Sequence, residues 1–269
     1  MKRSALLCAA LLCVGAAQAE DGLWLGIGAD YSSGDYGSDV TTDITSVPVA
    51  ARYDSGNWTW RASLPWLRVD GDVGVLPGLG NVGNSNPQGR GRGNSGNNGN
   101  DGTPPAETES GIASGLGDLR LAATYAFDTG GPLGIDLTGN VKIATADEDK
   151  GLGTGENDYG IAVDLYRDFD GTLLFGGVGY TMLGDSEYIQ LDDVLNVNLG
   201  ASWRVGAGTL GAMYDWRQAA SDTAGDRSEL TGFYSVRASD ADKFQLYGTL
   251  GLSDGSPDWG IGASYSRAF

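Results

Sequence analysis

The chain has 269 residues, with 35 acidic against 17 basic, a formal net charge of −18 and no histidine. So acidic a surface argues against nucleic acid as a partner, and the missing histidine removes the side chain best suited to acid–base catalysis near neutral pH. Glycine is abundant, at 45 residues, yet no apolar run beyond the first twenty or so residues is long enough to cross a bilayer as a helix, so any membrane role falls to strands.

Residues 1–19 read as a secretory signal peptide: Lys2 and Arg3 open it, an apolar run follows, and Ala17-Gln18-Ala19 has the small-x-small form of a cleavage site. Both cysteines, Cys8 and Cys13, lie inside it, so residues 20–269 carry no disulfide framework. From there the chain alternates apolar and polar residues in twelve segments of about ten residues, the length of a tilted membrane strand. They are predicted near 22–32, 46–54, 57–69, 117–128, 132–145, 158–169, 172–183, 194–205, 208–218, 228–238, 242–252 and 258–269. In 194–205, LNVNLGASWRV shows the pattern plainly: Leu195, Val197, Leu199, Ala201 and Trp203 share one parity, while Asn196, Asn198, Ser202 and Arg204 share the other.

The connections alternate as well. Tight turns rich in Gly, Asp and Ser fall near 54–56, 128–131, 169–171, 206–207 and 239–241, and mostly longer loops fall between them at 33–45, 70–116, 146–157, 184–193, 219–227 and 253–257. Short turns at one end and long loops at the other describe an all-β transmembrane antiparallel barrel of twelve strands with both termini periplasmic. The apolar parity agrees. Toward the tight turns it carries Tyr53, Trp58, Trp60, Phe127, Phe169 and Trp203, and toward the long loops Tyr31, Trp66, Tyr159, Tyr180, Tyr214 and Trp259, with aliphatic residues between. Two aromatic belts around an aliphatic band match the two bilayer interfaces. On that parity the charged residues are Arg68, Arg167 and Arg267, near strand ends, where they can snorkel. The chain closes on an amphipathic strand ending in Phe269, like the assembly signal of bacterial outer-membrane barrels, although Arg267 stands where that pattern usually has an apolar residue.

The other parity faces the lumen. It supplies candidate pore-lining residues Arg52, Arg61, Asp118, Arg120, Asp136, Lys142, Asp164, Arg204, Asp215 and Arg217, together with Asp30, Glu229, Arg237 and Lys243. Two readings stand: mutual salt bridges that plug the barrel, or a charged constriction that orients a polar or anionic solute. Basic residues outnumber acidic ones on this list, which favours a weak anion preference. Pro48 and Pro65 share the inward parity at similar heights on the second and third strands. Because proline cannot donate to a ladder, a bulge or gap in the wall between these strands is expected, the gap opening sideways to apolar solutes. The connection at 70–116 is a long Gly/Asn-rich external loop holding SGNNGN at 95–100, Pro104 and Pro105; it is expected to be flexible, with partial folding into the pore mouth as the sharper alternative. The loop at 146–157 carries Asp147, Glu148, Asp149 and Glu156, either a solvated acidic rim or a divalent-cation site beside lipopolysaccharide.

Three stretches resemble a known family. SGLGDL followed by RLAATYAF, KIA followed by TADEDKGLGTGENDYG, and VPVAARYDSGNWTWRASLPWLRVDG are similar to the small proteobacterial outer-membrane channels known as meta-pathway phenol-degradation proteins or outer-membrane transporters. The resemblance implies a monomeric twelve-stranded barrel in the bacterial outer membrane and passive passage of small molecules, including aromatic or hydrophobic compounds. The expected function is thus a narrow diffusion channel, with outer-membrane lipid and lipopolysaccharide around it, a small-molecule solute inside, no metal, no cofactor and no catalysis. The alternative is a closed structural or adhesive barrel acting through its loops.

Overall fold

The computed structural model describes residues 21–87, 89–90 and 110–269. The signal segment with Cys8 and Cys13, the stretch 95–100, Pro104 and Pro105 lie outside the described residues.

Alternation builds the wall. Along β1 (Gly22–Gly34), β2 (Thr42–Ser55) and β3 (Trp58–Asp72), an exposed, largely apolar row alternates with a sheltered row of mostly small and polar side chains. Two short strands, β4 (Val75–Leu76) and β5 (Gly80–Asn81), pair with each other inside the long connection. β6 (Ser110–Leu116) and β7 (Leu119–Phe127) both pair with β3 and together make one stave. An antiparallel meander follows: β8 (Leu133–Ile143), β9 (Asp158–Phe169), β10 (Thr172–Met182), β11 (Val194–Val205), β12 (Gly208–Arg217), β13 (Arg227–Arg237), β14 (Asp242–Gly251) and β15 (Trp259–Ala268). β15 returns to pair with β1, from Trp24↔Ala268 to Ser33↔Trp259, so the sheet closes as a barrel of 12 strands with no free edge. The hairpin between β9 and β10 shows how the tight turns are made. Asp170 and Gly171 take φ of 52° and 97°, the left-handed pair that a type I′ turn demands.

The exterior is apolar at mid-height. Leu199, Leu246 and Ile261 are 65%, 62% and 59% exposed. Trp58, Trp60, Phe127 and Phe169 ring the short-turn end, and Trp66, Tyr159, Tyr180 and Trp259 the long-loop end, all exposed. Leu195 and Val197 are on this outer face, while Asn196 and Asn198 are partly sheltered within.

The prolines correct one expectation. Pairing between β2 and β3 runs unbroken from Asp43↔Asp70 to Ser55↔Trp58, and Pro48 stands directly opposite Pro65. The breaks lie on the outer flanks of this hairpin. On one flank, β1–β2 pairing stops at Ile27↔Val49 and resumes at Asp30↔Ser46, which skips Gly28, Ala29, Val47 and Pro48. On the other, Leu64 and Pro65 face Gly117, Asp118 and Leu119, an extra residue that makes a β-bulge. The physical reason is the phase of the ladder. Gly117 N–H donates to the Pro65 carbonyl at 2.8 Å, so the Pro65 nitrogen points the same way, away from β2. The missing donor therefore costs the hairpin nothing and interrupts its neighbour instead.

Candidate functional site

The lumen has two unlike walls. On β2, β3, β7 and β8 it is charged and hydroxylated. Arg52 Nε donates to Asp54 at 2.8 Å, with both residues 4% exposed, and Thr59 donates to the same carboxylate oxygen at 2.7 Å. Arg61 lies opposite Arg52 in register and reaches Thr124 at 3.2 Å, which in turn is 2.9 Å from Thr138. Asp136 accepts from the Tyr166 hydroxyl at 3.3 Å and stands in register with Asp164 on β9. At the short-turn mouth the Arg237 guanidinium sits 5.7 Å from the centre of the Trp24 ring, a cation–π contact between β13 and β1. Arg204 is exposed beside the turn that follows β11, apart from this network.

On β9, β10 and β12–β14 an apolar patch interrupts the polar lining, although Asp164, Glu229, Lys243 and Gln245 are sheltered on the same strands. Tyr166, Leu173, Phe175 and Phe233 form a buried cluster with Met213 and Tyr247 packed against it. Each ring lies over a glycine of the adjacent strand, in register: Gly134↔Tyr166, Phe175↔Gly200, Gly211↔Phe233 and Tyr247↔Gly262. A methyl built on these glycines would meet the ring at 2.1 Å for Tyr166 and 2.3 Å for each of the others. The rings are therefore laid flat on the wall, because only glycine leaves room beneath them. Sequence reasoning missed this surface. The signal was present as aromatic residues on the inward parity facing inward glycines across a hairpin, but alternation alone scores such residues as exceptions.

At the long-loop end the connection after β3 folds back across the mouth. Leu76-Pro77-Gly78-Leu79 forms a type II turn: Leu79 N–H donates to the Leu76 carbonyl at 3.0 Å, and Gly78 takes φ of 82° in the position that favours glycine. Leu76 and Val82 pack on Ile189, Leu191 and Ala220, from the connections flanking β11 and β12, and on Val194, the first residue of β11. Ser85 Oγ donates to the Tyr188 carbonyl at 2.7 Å and Asn86 to Asp149 at 3.1 Å. This hairpin, within residues 73–87, packs as a lid against the loops around β11 and β12. Arg90 fastens it from behind. It is 3% exposed and donates to the carbonyls of Gly151 at 3.0 Å, Val75 at 2.9 Å and Asp72. Burial pulls its guanidinium down to about 10, still fully charged at neutral pH. Arg90→Ala should leave several buried carbonyls unpaired at about 1–3 kcal/mol each, and protease cleavage within 73–90 should become faster than in the parent while the barrel stays heat-modifiable. Equal cleavage rates would mean that the lid does not depend on this residue.

Beneath the lid the remaining predicted residues converge. Lys142 bridges Asp158 at 2.8 Å and Asp118 at 3.8 Å and donates to Thr154 at 3.0 Å, while Asp118 also accepts from the backbone of Thr145 and Ala146. Arg217 donates to the Leu79 carbonyl at 2.8 Å and to that of Gly78. Asp215 faces Glu229 across β12 and β13, and Glu229 takes two bonds from Arg227, one at 2.7 Å. In the 146–157 loop, Gly151–Thr154 is buried with Leu152 against Leu67 and Val69, whereas Asp147 is exposed and paired with Lys150 at 2.8 Å. The Lys150 ammonium holds the Asp147 carboxyl below the usual range.

No protein-family model and no curated protein matches the chain. Solved structures do. The fold is similar to that of an outer-membrane channel from Pseudomonas putida F1 (14% identity, TM-score 0.63, 93% of this chain and 96% of that one). It is also similar to a KdgM porin solved with disordered oligogalacturonate (6% identity, TM-score 0.51, 91% and 99%) and to the β domain of the Bordetella autotransporter BrkA (13% identity, TM-score 0.50, 93% and 99%). The chain thus has the closed barrel fold of outer-membrane proteins, small channels among them, and its apolar belted exterior places it in the bacterial outer membrane.

Proposed function

We propose that the protein is a narrow, monomeric diffusion channel for small molecules, with its termini and short turns periplasmic, and that it favours solutes combining an aromatic or apolar part with a polar group. The observation that carries this reading is the two-sided lumen: rings laid on glycines along one wall, paired charges and hydroxyls along the other. A solute sliding between them keeps its apolar face off water and its polar group hydrated or hydrogen-bonded. Arg52, Arg61, Asp136 and Asp164 line that path, and Arg120, Lys142, Asp215 and Arg217 its upper mouth, with a weak preference for anions. The exposed carboxylates of the 146–157 loop face lipopolysaccharide. The lid gives a second reading its one support, since a mouth kept shut suits a closed barrel that acts through its loops.

Swelling of proteoliposomes in isosmotic phenylalanine against glutamine separates these readings. Phenylalanine should enter faster despite its greater bulk, and Phe175→Ala with Phe233→Ala should bring its rate down to that of glutamine. Rates that follow solute size alone would remove the aromatic preference; no swelling with either solute, from a barrel that is correctly folded, would favour the closed reading.

A further inference from the structure

The lid is held by the Arg217 guanidinium, which makes no ion pair with a described carboxylate, although Glu229 and Asp215 lie within its electrostatic reach. Arg217 Nη1 and Nη2 donate to two successive carbonyl oxygens, Gly78 and Leu79, at the tip of the type II turn. Two acceptors taken by the two Nη atoms of one arginine reproduce the fork in which arginine binds a carboxylate. Arg217 Nε is buried and unpartnered, so the fork has a donor to spare. From the facing side of the barrel Arg120 reaches the same tip, its Nη2 lying 3.3 Å from where a Gly78 side chain would begin. The Arg120 side chain makes no hydrogen bond or ion pair with any described residue and is exposed within the lumen. Both arginines lie within electrostatic reach of each other and of Arg227. The carboxylates at this level are largely committed elsewhere: Asp118 and Asp158 to Lys142, and Glu229 to Arg227. Glu229 and Asp215 still add negative charge beside Arg217, and Asp118 and Asp158 beside Arg120.

Resting on the channel reading above, we infer that Arg120 and Arg217 form a carboxylate-binding site that the lid tip occupies in the absence of solute, and that a carboxylate-bearing solute opens the mouth by displacing the Gly78 and Leu79 carbonyls. Neutral peptide oxygens are weaker acceptors for a guanidinium than a carboxylate, so exchange favours the solute. The tip carries no charge and leaves Arg120 unsatisfied, which makes it a competitor that can be displaced. A carboxylate taking both arginines gains what the tip leaves unused. The aromatic wall lies further down the lumen, Met213 being four positions from Arg217 along β12. An aromatic carboxylate therefore meets its anion site first and its apolar track second.

The test is single-channel recording of the refolded full chain in a planar bilayer at neutral pH, with benzoate as the probe and benzamide as its uncharged counterpart. Benzoate should raise the open fraction several-fold and benzamide should not. Arg217→Gln should give a channel open without benzoate and indifferent to it. Arg120→Gln should keep the closed resting state but raise the half-maximal benzoate concentration about tenfold, the size of one lost charge-assisted bond. The inference is overturned if the parent conducts but benzoate leaves its open fraction unchanged, if benzamide acts equally, or if Arg217→Gln gates as the parent does. Absence of conductance in the parent and in Arg217→Gln alike, with heat-modifiable mobility intact, would instead remove the channel reading on which it rests.

Discussion

Gly211→Ala is expected to cut conductance and destabilise the barrel, although it adds one methyl group to a wall. All three atoms nearest to that methyl belong to the Phe233 ring, the closest at 2.3 Å. No ring tolerates such an approach, so Phe233 must rotate up from the wall into the bore. Overpacking of this kind costs about 1–3 kcal/mol, and the lifted ring narrows the passage for any solute. Gly200→Ala should be worse, because the methyl there meets the Phe175 ring at 2.3 Å and the Ala212 carbonyl at 2.7 Å, and backbone cannot swing aside. Gly139 and Gly232, with nothing within 4 Å of an added methyl, are the controls, and alanine there should leave both properties nearly unchanged. The double variant Gly211→Ala with Phe233→Ala decides the cause. If the ring blocks the bore, conductance recovers to the parental value or above; if conductance stays low, the loss came from the glycine backbone and the flat-ring account is wrong.

The second large effect concerns which face meets lipid. Leu199 and Asn198 are adjacent in β11, but one is 65% exposed on the outer face and the other is turned inward. Leu199→Arg places a cation near the hydrocarbon midplane and should cost about 2–4 kcal/mol, seen as a lower urea midpoint for folding into liposomes. Asn198→Arg puts the same charge into a polar lumen and should cost far less. Its readout is ion selectivity, which should shift toward anions. Equal destabilisation by the two substitutions would overturn the assignment of faces.

Much of this was legible in the residues, and what was not has identifiable causes. Alternation in LNVNLGASWRV and the segregation of loop lengths carry the closed barrel, since both follow from local geometry. The bulge at Gly117 and Asp118 does not announce itself. It switches the lipid-facing parity between Leu116 and Leu121, both exposed, so a single unbroken strand at 117–128 describes only the half after the bulge. Counting back from the turn put Pro48 and Pro65 at one height correctly, but the seam that loses a donor depends on hydrogen-bond phase, which sequence does not carry. The lid was hidden by averaging. A connection rich in Gly and Asn contains Val73, Val75, Leu76, Leu79 and Val82, and its Pro77-Gly78 pair is a turn signal in its own right. Arg217 and Arg120 were assigned to the lumen from parity, but that they meet over a lid tip follows from closure bringing distant staves together.

Closure between β1 and β15 also bears on how the molecule is made. Trp24 pairs with Ala268, and the Phe269 N–H donates to the Leu23 carbonyl at 2.8 Å, joining residues almost the whole chain apart. Contacts of such high sequence separation form late, because the intervening chain must first be ordered. Until then the growing sheet presents two raw edges and an outer row of Leu, Ile and Trp to water, a combination that templates aggregation. The open sheet is accordingly the form most prone to self-association, and the last strand, by zipping to the first, removes both raw edges in one step.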